Sequence, residues 1–147
     1  LSNLISLSDD SGIAIDALDK QPGIYSARWA GPNRDFDFAM REVTRLLDEK
    51  KIPIAERTAR FVCALCLFYP NGEYFFFVGK VEGRVVWPPR GKYGFGYDAI
   101  FEPLNMNKTF GEITSGEKHS WTPKKIGLSH RAKAFAKFVS YLSQEKK

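Results

Sequence analysis

An apolar, β-prone run over residues 59–69 is followed by Pro70-Asn71-Gly72 and then by a returning run from Glu73 to Val81. Two such runs around a proline–glycine turn predict an antiparallel hairpin. Strands joined by a tight turn must run antiparallel, and parallel strands need a long crossover between them. The middle of this 147-residue chain therefore lacks the regular βαβ alternation of a Rossmann fold.

The flanking sequence fits the same picture. Residues 4–9 read as a strand and Ile13 to Leu18 as another short one, with Asp19 to Gly23 as a turn carrying proline and glycine. Asp35 is placed to cap a helix from Phe36 to Glu49. In it Phe36, Ala39, Met40, Val43, Leu46 and Leu47 recur at helical spacing. Arg84 to Trp87 adds a short strand, and residues 98–102 a further strand or extended segment. A long polar connection over residues 103–128 has the length of a lid or binding loop. The last helix starts at Ser129, a good N-cap, with Phe135, Phe138, Tyr141 and Leu142 as its buried stripe. Lys133, Lys137 and Lys146 face water on its other side. The expectation is one α/β domain over residues 1–147, with a mixed, largely antiparallel, elongated sheet flanked by helices.

Composition narrows the class. Hydrophobic residues make up 44% and charged residues 27%, which suits a globular chain with a real core. No run of about 18 apolar residues is present to span a membrane, and no signal peptide is visible. The chain opens on Leu1 and almost inside a strand, so upstream sequence is expected to be missing. Cys63 and Cys66 have CxxC spacing, but residues three apart on a strand point to opposite faces and no second CxxC or histidine pair completes a metal site. They read as small apolar residues of a reducing, cytoplasmic protein. The net charge of +5 would suit nucleic acid, a membrane surface or a phosphorylated small molecule. The charge is scattered apart from Lys124-Lys125 and Lys146-Lys147, and no recognition-helix or RNP-type pattern appears, so no nucleic-acid or membrane partner is expected.

Three segments carry candidate chemistry. Asp9-Asp10-Ser11 ends an apolar run, and Gly12 is read as turning the chain after it. Adjacent strand residues point to opposite faces, so one acid can look into a cleft while the other looks away. Such an acid can hold a hard cation and help activate water, or simply form an Asx-type turn. Gly94-Phe95-Gly96-Tyr97-Asp98 sets glycines around two aromatics, which fits close backbone approach and stacking on a flat base, or else a hairpin turn with core aromatics. Ser129-His130-Arg131 at a helix start offers free backbone N–H groups and side-chain donors to an anion or carbonyl, or is an ordinary helix end. In Tyr25-Ser26-Ala27-Arg28, the arginine could touch phosphate or hold a carboxylate. Trp87-Pro88-Pro89-Arg90-Gly91 reads as a rigid turn feeding the glycine–aromatic loop.

Taken in order, the DDSG opening, Pro22-Gly23-Ile24-Tyr25-Ser26-Ala27-Arg28, Gly94 to Phe101 and Ser129-His130-Arg131 resemble the Ham1/inosine triphosphatase family of nucleoside triphosphate pyrophosphatases, from about Ser8 to Phe138. The resemblance implies hydrolysis of ITP, dITP and XTP to the monophosphate and pyrophosphate, with Mg²⁺ as cofactor and a homodimer as the assembly. It implies that Asp10 holds the metal and activates water and that Ser11 contacts the substrate. It assigns Phe95, Gly96, Tyr97 and Asp98 to the substrate pocket, with Phe95 stacking and Asp98 reading the base edge or holding a cation. His130 and Arg131 would contact the purine, Arg131 pairing with the 6-oxygen that adenine lacks. Lys125, five residues before His130, would also bind substrate, with Lys124 as the neighbouring choice. Ala99 stands where many relatives carry proline. The family's phosphate-cradling S/T-G-N-x-x-K segment and metal-binding glutamate do not occur in this chain. The resemblance leaves two alternatives: a Maf-type pyrophosphatase, or an inactive nucleotide-binding or dimerisation module.

Overall fold

The computed structural model describes residues 3–145. Strands β1 (Ser6–Ile15), β2 (Thr58–Phe68), β3 (Tyr74–Val85) and β4 (Phe101–Pro103) form one antiparallel sheet in the order β1-β2-β3-β4. Helices α1 (Ser26–Trp29), α2 (Phe36–Glu49), α3 (Ser115–His119) and α4 (His130–Glu145) flank it. A two-stranded ladder of β5 (Trp121–Thr122) and β6 (Lys125–Ile126) stands apart. The mixed α/β architecture with an antiparallel sheet is the one expected. Lys146 and Lys147 lie outside the described residues.

The predicted hairpin is the spine of the sheet. β2 and β3 pair from Thr58↔Arg84 to Phe68↔Tyr74. In the turn the Asn71 side chain accepts from the Glu73 N–H at 3.0 Å, and Gly72 adopts φ 94°. The short strand expected at Arg84 is instead the end of β3, because the eleven-residue β2 offers it a partner throughout.

One face of the sheet holds the whole core. Ile13, Ile15, Ala59, Phe61, Val81 and Val85 pack against Ala39, Met40, Val43 and Leu47 of α2. Farther along the same face, Cys63, Leu65, Leu67 and Phe77 pack against Ala134, Phe138, Tyr141 and Leu142 of α4. Each fully buried large apolar side chain here contributes roughly 1.5–3 kcal/mol. Asp35 caps α2 as expected, accepting from the Phe38 N–H at 2.9 Å. Ser129 caps α4, accepting from the Ala132 N–H at 3.0 Å. Phe135 departs from the expected stripe: it is 40% exposed and packs edge-on against Trp121. The stripe is shifted because Gly79, with no Cβ, lets the α4 backbone at His130 and Ala134 lie directly on β3. Lys133 and Lys137 then donate to the Lys80 and Val78 carbonyls along the β3 edge that short β4 leaves unpaired. The other face of the sheet is exposed at Phe68, Tyr74 and Phe76, the last by 62%.

Two further expectations change. Gly12 does not turn the chain: β1 runs unbroken through it, pairing from Ser6↔Phe68 to Ile15↔Ala59. The glycine is needed for approach, since a Cβ there would overlap the Gly23 carbonyl and meet Ser26 Oγ at 2.9 Å. Residues Asp16–Leu18 form a 3₁₀ turn closed by Asp19 at φ 53° rather than the end of a strand. The long connection is not an open loop either. A 3₁₀ turn (Phe110–Glu112) and α3 each begin with a capping box, Thr109 with Glu112 and Thr114 with Glu117. Phe110, Thr109 and Lys118 from this segment are fully or almost fully buried.

Candidate functional site

A cavity of about 420 Å³ opens where β1, the Gly94–Asp98 loop, α3 and the start of α4 meet. Its floor is Phe61, whose ring stacks on Phe110 at 5.8 Å and on the His130 imidazole at 4.8 Å. Gly94 and Gly96 adopt φ 80° and 65°, a region that favours glycine. At Gly94 a side chain would also strike the Asp98 carboxylate and the Lys118 ammonium. The turn leaves the Phe95 ring 67% exposed beside the cavity, while the Phe95 N–H donates to Asp98 Oδ2 at 3.2 Å. Tyr97 lines the cavity but is only 2% exposed, and its hydroxyl donates to the Ser26 carbonyl at 2.8 Å. It ties the loop to α1 instead of offering a free polar group. Burial pushes its phenol well above the usual range, so it stays protonated.

Asp98 faces a cation that sequence reasoning did not select. Lys118 Nζ donates to Asp98 Oδ2 at 2.9 Å, from a side chain that is completely buried. Lys125, and with it Lys124, is exposed near the tip of the β5–β6 ladder and is not among the cavity-lining residues. The reason is topological. The Ser129 N–H bonds to the Lys118 carbonyl at 2.8 Å, and the Gly127 N–H bonds to the Ser120 carbonyl at 2.7 Å. Residues 121–126, the β5–β6 ladder, are thereby looped out, and Lys118 sits next to His130 in space. Counting five residues back along the chain therefore lands on the loop. The T-x-x-E capping box ahead of Lys118 was the signal that could have placed it on a helix.

β1 divides its two acids as strand alternation requires. Asp9 and Ser11 line the cavity. Arg131 donates from Nε to Asp9 Oδ2 at 2.7 Å, and from Nη2 to Asp9 Oδ1 at 3.3 Å and Ser11 Oγ at 3.4 Å. Ser11 Oγ in turn donates to Asp9 Oδ1 at 3.0 Å. Partial burial would raise the Asp9 pKa, but the hydrogen bonds from Arg131 and Ser11 outweigh it and hold the carboxyl below the usual range. The same contact raises the Arg131 pKa further. Asp10 points to the opposite side of β1, into a separate hollow of about 260 Å³ with Lys20, Gly23 and Ile24. Ser11 and Gly12 line both hollows, which lie on opposite sides of β1.

Two histidines close the cavity. Burial, followed by the nearby Arg131 charge, pushes the His130 pKa down to about 4, and its Nδ1 is buried without a partner among the described residues. His130 is thus a neutral ring held flat on Phe61. His119 was not anticipated; it lines the cavity, and its Nδ1 lies 2.9 Å from Ser129 Oγ. Ser129 is completely buried and already accepts from Ala132. Its own proton is therefore available to His119 Nδ1, which would leave the Nε2–H tautomer. Arg28 pairs with no carboxylate among the described residues; its guanidinium lies over the Tyr25 ring at 4.9 Å.

The arrangement offers an exposed ring for stacking, paired acid and base groups at the edge of a planar ligand, and a carboxylate around the strand edge. No cluster of three or more His, Cys, Asp or Glu suited to a metal occurs among the described residues. A single carboxylate such as Asp10 still fits Mg²⁺, which commonly takes one or two protein carboxylates and completes its shell with water and substrate phosphate.

The profile of the Ham1 family matches residues 2–141. A dITP/XTP pyrophosphatase of Brucella melitensis is 54% identical over 139 residues, covering 91% of this chain and 63% of that protein. Its counterpart from Rhodopseudomonas palustris is 53% identical over 94% of this chain and 66% of its own length. The chain therefore spans a little under two thirds of the length of these relatives. Among solved structures, the Staphylococcus aureus Ham1 protein superposes with a TM-score of 0.85 at 32% identity, over 97% of this chain and 69% of that one. The Mycobacterium abscessus nucleoside-triphosphatase / dITP/XTP pyrophosphatase gives 0.77 at 37% identity, over 94% and 68%.

Proposed function

The chain belongs to the Ham1 family, and on that premise we propose that the protein hydrolyses non-canonical purine nucleoside triphosphates, ITP, dITP and XTP, to the monophosphate and pyrophosphate. One observation carries the reading. The exposed Phe95 ring and the Asp98–Lys118 and Arg131 groups share a cavity whose lining residues Ser11 and Gly12 also line the Asp10 hollow. A purine stacked on Phe95 would leave its phosphates to cross the edge of β1 toward Asp10. The base edge would then face Lys118, Arg131 and the neutral His130. Donors there favour a 6-oxygen, and facing them with an adenine amino group costs roughly 1–3 kcal/mol for each unmet donor.

In the hydrolytic step Asp10 orients a water toward the α-phosphorus and accepts its proton. Ser11, which lines both hollows, contacts the substrate where base and phosphates diverge. Mg²⁺ bound at Asp10 would supply charge neutralisation of the phosphate oxygens. Phe95, Gly96 and Asp98 form the base platform, Tyr97 braces it, and Lys118 takes the role that the resemblance gave to Lys125. The family match does not favour the Maf-type alternative. A homodimer and a cytoplasmic location belong to the same proposal; both cysteines are free, and no helix of the described residues is long and apolar enough to cross a membrane.

The direct test is Asp10→Asn in the full-length protein. It should lower pyrophosphate release from ITP by about a hundredfold or more, in the range of general-base removal, while nucleotide binding and thermal stability stay close to normal. Unchanged turnover would remove Asp10 from the chemistry.

A further inference from the structure

We infer that Asp9 is a positioning residue for base selectivity: it fixes the Arg131 guanidinium against the purine edge without touching the ligand. The inference rests on the purine reading above. Asp9 and Arg131 lie 122 positions apart and meet through two hydrogen bonds, at 2.7 and 3.3 Å. Both Asp9 oxygens have protein partners, since Oδ1 also accepts from Ser11 Oγ at 3.0 Å. The Asp9 carboxylate is thus already engaged by Arg131 and Ser11 on both oxygens. On Arg131 the carboxylate and Ser11 engage Nε and Nη2. Nη1 has no protein partner among the described residues and remains to donate to a ligand.

The clamp has something to prevent. A second hollow of about 360 Å³ lies behind the ion pair, with Leu7, Leu65, Ala132 and Phe135 in its wall. Asp9, His119 and Arg131 line both this hollow and the base cavity, so they form the partition between them. A long arginine side chain, 41% exposed, would be free to swing across that partition once its carboxylate was removed. Its neighbour Asp10 cannot substitute, because it lies on the other face of β1.

The test is a double-mutant cycle on IMP and AMP binding by titration calorimetry, using Asp9→Asn, Arg131→Ala and the pair, with unfolding midpoints measured alongside. Asp9→Asn should weaken IMP by about tenfold, the scale of a charge-assisted hydrogen bond, and leave AMP nearly unchanged. In the Arg131→Ala background the same change should have no further effect on the IMP:AMP ratio. Asp9→Glu, which keeps the charge, should restore part of the ratio and serves as the readout if Asp9→Asn unfolds. An unaltered ratio in Asp9→Asn, or an equal loss with and without Arg131, would overturn the inference while leaving the purine reading intact. Failure of the unaltered protein to bind IMP would overturn both.

Discussion

At the residue scale, His130 ties the site to the stability of the fold. Its pKa is held at about 4 against an ordinary 6.5, chiefly by burial against Phe61. Above pH 6.5 it is neutral folded or unfolded and contributes nothing to the pH dependence. Between about 6.5 and 4 only the unfolded chain takes up the proton, so stability falls as pH falls through that window, by about 3 kcal/mol in total. The Asp9 carboxyl titrates below its ordinary 3.8, so its stabilisation is present above that value and is lost only at lower pH. Urea unfolding should show the loss between pH 6.5 and 4, and His130→Gln should reduce it, leaving the share of His119, whose pKa burial also lowers. Gly94→Ala should cost about 1–3 kcal/mol in the same assay, from a positive φ and a collision with the Asp98–Lys118 pair. Strand alternation in the sequence was enough to say that one acid of Asp9-Asp10 faces a cleft. Which one faces Arg131 was not legible, because the partner arrives from a helix at the far end of the chain.

At the element scale, the hairpin and α2 were legible because each has its own period and punctuation: β-prone runs around Pro70-Asn71-Gly72, and an apolar stripe behind Asp35. β1 was divided in error at Gly12, since a glycine kept for close backbone approach looks the same in sequence as one kept for a turn. The polar connection over residues 103–128 reads as a long loop, although Thr109-x-x-Glu112 and Thr114-x-x-Glu117 within it are capping boxes in plain sequence. Lys118 is the consequence. Lys118→Met would leave the Asp98 carboxylate buried without its cation and should destabilise the protein by about 3–5 kcal/mol in urea unfolding. Lys125→Met, on the exposed ladder, should change stability by less than about 0.5 kcal/mol. Comparable losses in the two variants would contradict the looped-out ladder.

At the scale of the whole molecule, one face of the sheet carries α2 and α4 and the other is exposed at Phe68, Tyr74 and Phe76. The site sits along β1, the edge strand of the sheet, whose Ser11 and Gly12 line cavities on both sides. The four ordered motifs were legible individually. That they converge on one strand edge was not, because convergence depends on the register of β1 on β2 and on the docking of α4 across Gly79. Purine selection at that edge should be coupled to triphosphate cleavage. It is tested most directly by initial rates of pyrophosphate release from ITP, XTP, ATP and GTP by the full-length protein with Mg²⁺. ITP and XTP should exceed ATP by at least about tenfold in kcat/KM, the equivalent of one unmet buried donor. Equal rates for ITP and ATP, or no release from ITP by a folded protein, would contradict it.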